Sequence, residues 1–447
     1  MTPSARLAAA IDLLTAMEDA PRRPADAVAN SFFRERRFIG GGDRRAVSGL
    51  VWDVLRRWRR LGWRLTQAGG DVTPRLLVAA LLIEQGRPAG EVAQAYVEGR
   101  FAPGVLTRDE RFVLDRLAAA DEAEMPRAVR LEVPDWLLPL LEERFGAETE
   151  AELEALGTEA SLDLRVNTLS GTRDEARRSL AQEGLRAEEA SLSPWGLRLP
   201  GRQPVTASRA FRDGLVEIQD EGSQVLVTLV GAEPGMRVLD YCAGAGGKTL
   251  GLAMTMLNRG QIVACDVSET RLEGAVKRLR RAGVHNVERH LLVPGDKWAK
   301  RRAGSFDRVL VDAPCTGTGT WRRNPDARLR LTRDDLRELT VKQSEILDRA
   351  AALVKPGGRM VYATCSVLEA ENGDQIAAFL KRNGAFRLVG ADSAFVPEAL
   401  RGRETVRLSP YRDGTDGFFG AVLERVTAAA PESVPDAETS AGDQAIA

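Results

Sequence analysis

The sequence has little of what most metal sites, catalytic triads and disulfide scaffolds are built from. It contains two histidines, His285 and His290, and four cysteines with no Cys-x-x-Cys pair. So few candidate ligands argue against a zinc site and against a histidine-based triad. Few, widely spaced cysteines in a long chain are typical of a reduced cytoplasmic protein. We therefore expect a cytoplasmic protein that binds no metal.

Long hydrophobic runs and an excess of one charge are also missing. The longest bare apolar stretch, Leu76–Ile83, is far shorter than the roughly 20 residues of a membrane span. The N-terminal apolar run Leu7–Ala10 is soon interrupted by Asp12, which does not fit a secretory signal. The chain carries 63 Lys and Arg residues against 64 Asp and Glu residues, a net charge of −1. The sequence thus predicts no membrane partner, and a nucleic-acid interface would have to come from local patches.

Apolar spacing divides the 447-residue chain into three folded regions, in line with about 150 residues per domain. Residues 1–130 show only helical periodicity, as in Ala5–Met17 and Val47–Leu61. Residues 131–215 combine short helices with strand-like pieces such as Leu162–Leu169, which predicts a small α+β unit. Residues 427–447 are rich in Ala, Pro, Ser and acidic residues and predict a disordered tail.

The third region, residues 216–426, alternates short apolar strands with helices. This pattern is typical of a mainly parallel, Rossmann-like α/β sheet. The clearest predicted strands are Arg237–Tyr241, Gln261–Asp266, Phe306–Val311 and Arg359–Thr364.

Two basic stretches interleaved with tryptophan are candidates for RNA contact. Between Arg34 and Arg64 ten arginines face three acidic residues, a local charge of about +7, with Trp58 in the densest part. One interpretation is a solvated helix face with the tryptophan in the core, and the other is a phosphate-binding surface. The second stretch, Trp321–Arg333, follows a candidate catalytic loop and would suit single-stranded RNA, or would be a solvated loop.

A glycine-rich turn after an apolar strand carries the richest local signal. The segment Val238–Thr249 reads Val-Leu-Asp-Tyr-Cys-Ala-Gly-Ala-Gly-Gly-Lys-Thr. A P-loop would need glycine where Cys242 stands, and a dinucleotide loop would need glycine or alanine at Thr249. The remaining cofactor class is S-adenosylmethionine, in which a second acid, here Asp266, ends the next strand. A carboxylate there can accept hydrogen bonds from both ribose hydroxyls.

Two further strand ends carry a cysteine each. Cys315 follows Asp312 in a loop after one strand, and Cys365 follows directly after another. Ligands of open α/β sheets bind beyond the carboxyl ends of the strands, so both thiols should face the cofactor cleft. Cys265 lies inside a strand, where a buried small hydrophobic role is the expectation.

These motifs together resemble the RNA 5-cytosine methyltransferase family over about Pro134 to Leu423. The residues that carry the resemblance are the glycine-rich turn, Asp312-Ala-Pro-Cys315, Arg322-Arg-Asn-Pro-Asp326, Gln343-Ser-Glu-Ile-Leu347, Tyr362-Ala-Thr-Cys-Ser366 and Asp416-Gly-Phe-Phe419. The helical N-terminal region, through Gly42-Asp-Arg-Arg-Ala and Val54-Leu-Arg, resembles the NusB-like RNA-binding domain found in bacterial members of this family. The resemblance also implies that the 131–215 unit binds RNA.

The resemblance implies covalent catalysis on cytosine. Cys365 would add to C6 as the nucleophile, Asp312 would protonate or hydrogen-bond N3, and Cys315 would assist product release. The family's S-adenosylmethionine site maps onto Cys242, Ala243, Gly244, Ala245, Gly246, Gly247, Lys248, Asp266, Asp312 and, after the third strand, Asp296.

Two departures from the family pattern bear on these assignments. The usual Cys-Ala-Ala-Pro-Gly-Gly-Lys reads here Cys-Ala-Gly-Ala-Gly-Gly-Lys, which loses the proline but keeps the last glycines and Lys248. The segment around Asp296 is irregular. Lys248 itself is either a helix-start residue or a contact to substrate or cofactor.

The leading function is methylation of cytosine C5 in RNA, with 16S ribosomal RNA as the expected substrate and a monomer as the expected state. One alternative is the same chemistry on transfer RNA or another RNA, because nothing in residues 1–130 names the target. A second is a catalytically inactive RNA-binding or ribosome assembly factor, against which intact Asp312, Cys315 and Cys365 argue. DNA methylation is disfavoured by the Thr-Cys motif and by the lack of a large target-recognition insertion.

Overall fold

The computed structural model describes residues 1–119 and 121–427. The predicted tail, 427–447, lies outside the described residues except for Thr427. None of the helices in the described ranges combines the length and apolar character that crossing a membrane requires.

The N-terminal region is built from helices that bury one another's apolar faces. They are Pro3–Glu18 (α1), Ala25–Glu35 (α2), Gly41–Arg56 (α3), Trp58–Gln67 (α4), Pro74–Glu84 (α5), Ala89–Ala95 (α6), Arg108–Ala118 (α7) and Arg127–Arg130 (α8). The longest apolar run of the sequence forms the centre of this bundle: residues 76–83 of α5 are all buried. A helix that is apolar all round is stable only when other helices surround it. The predicted helix Val47–Leu61 is in fact two helices, because the helical conformation is interrupted at Arg57, between α3 and α4.

A small α+β unit, with an antiparallel sheet and its own core, follows. Its elements are Leu138–Phe145 (α9), Thr149–Gly157 (α10), Leu162–Val166 (β1), Arg173–Gln182 (α11), Glu188–Glu189 (β2), Gly196–Leu199 (β3), Arg209–Arg212 (α12) and Val216–Ile218 (β4). The strand order is β2-β3-β1-β4. Leu164 pairs with Leu197 on one side and with Ile218 on the other. The sheet therefore runs just past the predicted boundary at residue 215; the domain boundaries themselves stay predictions.

The third region is a mixed sheet between two layers of helices. Its elements are Glu221–Val230 (α13), Arg237–Asp240 (β5), Gly247–Thr255 (α14), Gln261–Asp266 (β6), Glu269–Arg281 (α15), Val287–Leu291 (β7), Trp298–Arg301 (α16), Phe306–Asp312 (β8), Ala327–Arg330 (α17), Arg333–Ala351 (α18), Val354–Thr364 (β9), Gly373–Arg382 (α19), Phe386–Val389 (β10), Thr405–Leu408 (β11), Pro410–Asp413 (α20) and Phe418–Arg425 (β12). The strand order is β10-β12-β9-β8-β5-β6-β7, and β11 also pairs with β12.

The sheet topology places a ligand crevice at the end of β5. Strands β5 to β9 are parallel, and β12 runs antiparallel beside β9. The first strand, β5, lies between β6 and β8, so the order of strands reverses there, and ligands of such sheets bind at that reversal. The four predicted strands are confirmed, although β9 begins at Val354, earlier than predicted.

The stretch Trp321–Arg333 is largely a buried joint, which corrects its interpretation as an RNA-contact surface. Trp321 is fully buried and Arg328 is 1% exposed. Asp326 accepts a hydrogen bond from the backbone N–H of Ala25 at 3.1 Å, and Arg328 donates to the carbonyl of Arg56 at 3.1 Å. The prediction was wrong for these side chains because the helical region packs onto this loop, which sequence alone does not show.

Several arginines around Trp58 also form ion pairs with an acidic residue of the same chain. Arg57, Arg60 and Arg64 all lie within 4 Å of the Glu84 carboxylate. Trp58 is half-buried against the helical core. This part of the basic stretch therefore agrees with the interpretation that places the tryptophan in the core, but its arginines pair with an acid where a solvated helix face was predicted.

Candidate active site

The glycine-rich turn between β5 and α14 is held open by an acid of the neighbouring strand. Gly244 and Gly246 have φ values of +55° and +78°, which glycine adopts without strain. The carboxylate of Asp266 accepts hydrogen bonds from the N–H of Gly244 at 2.9 Å and from that of Ser268 at 2.8 Å. Asp266 thus lies at the end of β6, as the sequence predicts, and also fixes the shape of the turn.

Asp240, at the end of β5, anchors the first turn of α14. Its Oδ2 accepts a hydrogen bond from the Thr249 hydroxyl at 2.6 Å. Its Oδ1 is buried without a partner among the described residues. Burial, reinforced by the charges of Asp312 and Asp266, raises the pKa of Asp240 from 3.8 to about 7.

The two candidate catalytic thiols meet at the ends of adjacent strands. Asp312 at the end of β8 pairs in register with Ala363 of β9, so the loops that follow leave the sheet side by side. The Sγ atoms of Cys315 and Cys365 are 3.4 Å apart. The topology therefore brings together two cysteines that are far apart along the chain.

A partly buried ion pair joins the glycine-rich turn to the end of β8, just before the loop of Cys315. Lys248 Nζ donates to Asp312 Oδ2 at 2.7 Å. Burial lowers the pKa of Lys248, but the charge and hydrogen bond of Asp312 outweigh it, so the net shift is upward and the ammonium keeps its proton. Lys248 is thus the second residue of α14 and is paired with Asp312, and its contact with substrate or cofactor stays a prediction.

The electrostatics of the thiol pair are asymmetric. The hydrogen bond with Cys365, together with burial, raises the pKa of Cys315 well above its usual range. The positive charge of Lys248 interacts with Cys365. The thiol of Cys315 therefore keeps its proton.

A buried carboxylate that the sequence reading missed shapes the Cys315 loop. Glu371 is fully buried and accepts hydrogen bonds from the N–H of Thr316 at 2.8 Å and from Gln343 Nε2 at 3.0 Å. Gln343 also donates to the carbonyl of Pro314 at 2.9 Å. The signal was a polar Gln343 inside an otherwise apolar helix face, which marks a side chain with a buried partner.

The Cys365 loop has a separate polar frame. The Thr364 hydroxyl bonds to Asn372 Oδ1 at 2.6 Å, and Asn372 Nδ2 donates to the carbonyl of Ser366 at 2.9 Å. The N–H of Gly319 donates to the carbonyl of Cys365 itself at 3.0 Å. Both thiols therefore sit on loops whose backbone positions are fixed.

The remaining predicted site residues lie at varying distance from this centre. Asp296 follows β7 but is engaged by His290 Nε2 at 2.6 Å and by the N–H of Trp298 at 2.7 Å. Cys242 is half-buried in the glycine-rich turn, whereas Cys265 is fully buried, as expected of a core residue. In the described part of the chain no three His, Cys, Asp or Glu side chains converge to hold a metal ion.

The turn and its acids fit S-adenosylmethionine. Each oxygen of Asp266 keeps a second lone pair for a ribose hydroxyl, and Asp240 offers an oxygen that lacks a partner. The carboxylates of Asp266 and Asp312 outnumber the one ammonium, that of Lys248, which suits a ligand that carries a sulfonium and an ammonium group. The missing Cβ atoms of the turn leave its backbone open to close approach.

Comparison with known proteins agrees with this geometry. The family model "16S rRNA methyltransferase RsmB/F" matches residues 227–424, and the ferredoxin-like domain of RsmF/B-like methyltransferases matches residues 133–206. Ribosomal RNA small subunit methyltransferase B of Serratia proteamaculans is 32% identical over 408 residues, 86% of this chain and 91% of that protein. The protein of the same name from Citrobacter koseri is 36% identical over 411 residues, with the same coverage.

Solved structures share the architecture. The crystal structure of PH0851 is 28% identical, with a TM-score of 0.76 over 95% of this chain and 99% of that one. NSun6 from Pyrococcus horikoshii, solved with SFG, is 20% identical with a TM-score of 0.59 over 66% of this chain and 100% of that one, which shows a common fold.

The fold, the glycine-rich turn and the acidic residues at the strand ends define this protein as an S-adenosylmethionine-dependent methyltransferase. Within that class, the chain belongs to the 16S rRNA methyltransferase RsmB/F family. The predicted cofactor is thereby confirmed. The NusB-like character of residues 1–130 stays a prediction.

Proposed function

We propose that this protein methylates C5 of a cytosine in RNA, with small-subunit ribosomal RNA as the substrate, through a covalent bond between Cys365 and C6. The observation that carries the proposal is the pair of thiols 3.4 Å apart beside the Lys248–Asp312 ion pair, at the carboxyl ends of β8 and β9. The names of the curated relatives support the choice of ribosomal RNA.

The chemistry follows from the weak nucleophilicity of cytosine C5. Addition of the Cys365 thiolate at C6 makes C5 an enamine-like carbon that can attack a methyl group. S-Adenosylmethionine supplies that methyl group as an electrophile. Asp312 protonates or hydrogen-bonds N3 as the ring gains charge, and the ammonium of Lys248, hydrogen-bonded to it, holds this carboxyl in place.

Release reverses the addition. Water accepts the proton from C5, the C5–C6 double bond re-forms and the C6–S bond breaks, so Cys365 leaves as a thiolate and N3 returns its proton to Asp312. Cys315 assists this step because its sulfur lies next to the departing one. The target base has to leave its stack to reach thiols that are only partly exposed, so a loop or an opened helix suits the site.

The decisive experiment is methyl transfer from labelled S-adenosylmethionine to separate pools of unmodified ribosomal and transfer RNA, followed by nucleoside analysis. Label in 5-methylcytidine of small-subunit RNA is expected. Label only in transfer RNA would keep the chemistry and replace the substrate. Label in another nucleoside would refute the cytosine mechanism. No label in any pool despite cofactor binding would favour the assembly-factor alternative.

The other sequence predictions form part of the proposal. Residues 1–130 and 131–215 bind RNA, the first as a NusB-like domain, and the protein acts as a cytoplasmic monomer. Asp296 is proposed as a cofactor contact, which requires it to exchange its bond with His290 for one to the ligand.

A further inference from the structure

An open basic pocket lies where the N-terminal helices meet the small sheet. Its volume is about 670 Å³, within the usual range of ligand sites. Helices α2 and α3, the segment that joins them and the loop after β3 all contribute to it. The lining side chains with charge are Arg34, Arg37, Arg44, Arg45 and Arg202. The pocket shares none of its lining residues with the methyl-transfer site.

The charge of this pocket is not neutralised. In the described ranges no carboxylate lies within 4 Å of the four pocket arginines on or between α2 and α3. The nearest acids in sequence are already paired: Asp43 binds the N-terminal ammonium at 3.0 Å and Arg6 at 2.8 Å, and Glu35 lies 3.7 Å from Arg36. Of the pocket arginines only Arg202 has an acidic neighbour, Glu159 at 3.4 Å. The arginines after residue 55, by contrast, share Glu84 and other acids.

Part of the pocket is held in place. Arg44 donates to the carbonyl of Ile39 at 2.8 Å and to that of Phe33 at 3.3 Å. The guanidinium of Arg202 lies 5.5 Å from the ring of Trp52, an aromatic side chain of α3. Arg44 and Arg202 are therefore preorganised, while Arg37 and Arg45 are exposed at the surface.

Five guanidinium groups facing one cavity select a ligand with several negative charges. Arginine forks match phosphate oxygens in bidentate fashion, and counterion release adds to the affinity. We propose that this pocket binds the phosphodiester backbone of the substrate RNA, away from the cytosine that is methylated. The proposal rests on the proposed function only for the identity of the RNA.

A site of this kind would hold substrate rather than take part in chemistry. Because Arg202 belongs to the small sheet and the other four arginines to the helical region, a bound strand would bridge the two regions. Loss of the pocket should therefore raise KM for RNA and leave kcat at saturating RNA unchanged.

The test compares two charge-matched double variants of the full chain. Arg37→Glu/Arg45→Glu alters the pocket. Arg87→Glu/Arg100→Glu makes the same charge change at two exposed arginines of the helical region that do not line it. The probe is an unmodified small-subunit rRNA transcript, titrated at several salt concentrations, with KM, kcat and S-adenosylmethionine affinity measured alongside.

The pocket variant should bind RNA at least tenfold more weakly than the wild type, and the control less than twofold. The slope of log Kd against log salt should fall by about 1.5, because each lost phosphate contact removes about 0.7 to 0.9. Unchanged binding by the pocket variant, or equal losses in both variants, would overturn the proposal. Absence of RNA binding by the wild type would overturn it as well.

Two further measurements keep the outcome clear. If the glutamate variant fails to bind S-adenosylmethionine and so is misfolded, Arg37→Gln/Arg45→Gln replaces it, with the same expected direction. If the wild type binds RNA in a pocket-dependent way yet transfers no methyl group, the proposed function fails while the pocket stands. If methyl transfer proceeds with unaltered KM in the pocket variant, only the pocket is refuted.

Discussion

The buried carboxyl of Asp240 should make this protein less stable as pH rises, and replacing it by asparagine should remove that effect. The side chain is fully buried, with one oxygen bonded to Thr249 and the other without a partner among the described residues. Burial foremost raises its pKa from 3.8 to about 7. Asp240→Asn keeps the shape and the acceptor for Thr249 but cannot ionise.

The size of the effect follows from the shift. Below pH 4 the carboxyl is protonated in both the folded and the unfolded chain and contributes nothing. Between about pH 4 and pH 7 the unfolded chain ionises while the folded one does not, so the free energy of unfolding falls as pH rises. The rise of the pKa from 3.8 to about 7 corresponds to about 4 kcal/mol, reached above pH 7. At pH 5 the penalty is only about 1 to 2 kcal/mol.

The wild type should therefore lose about 2 to 3 kcal/mol more than Asp240→Asn between pH 5 and pH 8. The asparagine introduces a buried N–H donor whose cost of about 1 to 3 kcal/mol is independent of pH and cancels in this comparison. The assay is denaturant unfolding of the cofactor-free protein, followed by tryptophan fluorescence, at both pH values. Glu154→Gln, at an exposed carboxyl, is the matched control and should behave like the wild type.

One outcome would refute this reasoning. If Asp240→Asn and the wild type lost the same stability between pH 5 and pH 8, the carboxyl would not be held protonated by burial. Asp240 would then be ionised in the folded protein beside Asp266 and Asp312.

The two thiols should respond oppositely to substitution: Cys365→Ala should abolish turnover and covalent RNA attachment, whereas Cys315→Ala should accumulate a protein–RNA adduct on denaturing gels. An adduct formed by Cys365→Ala would contradict the assignment of the nucleophile. Glu371→Ala removes the acceptor of the Thr316 N–H on the Cys315 loop and of Gln343 on α18, so we expect a loss of about 2 to 4 kcal/mol in unfolding experiments and a kcat at least tenfold lower, with unchanged cofactor affinity. A normal kcat would show that this carboxylate does not position the thiol loop. Gly319→Ala would place a Cβ 2.0 Å from a backbone oxygen and should cost about 3 kcal/mol or more, whereas Gly384→Ala, where nothing lies within 4 Å, should be nearly neutral by the same measurement.

Elements that depend on local pattern could be predicted well from the sequence. Strand β6 has the predicted bounds, and the turn from Asp240 to Gly247 has the predicted strand–turn–helix form. The conformation of a glycine-rich turn or an apolar strand depends mainly on residues that are close in sequence, so it can be predicted from the sequence alone. Strand β7 is not among the clearest predicted strands because its residues are only partly buried and do not alternate between buried and exposed positions.

The environment of each arginine in the basic stretches could not be predicted from the sequence. Arg45 and Arg57 both have arginine neighbours in the sequence, yet Arg45 is exposed at a pocket and Arg57 lies near Glu84. Trp321 looks like a stacking platform and is fully buried. Whether an arginine meets RNA or a carboxylate depends on residues brought from elsewhere in the chain.

The sequence by itself determined the parallel sheet, the cofactor class and the identity of the candidate thiols, since these rest on residue types at fixed spacing along one strand or turn. Only the tertiary structure decided that Cys315 and Cys365 meet, that Lys248 pairs with Asp312, and that Glu371 supports the loop that carries Cys315. Each of these contacts joins residues at least 50 positions apart. Burial, partner and charge state at such positions follow from how strands are ordered in the sheet, which no local spacing encodes.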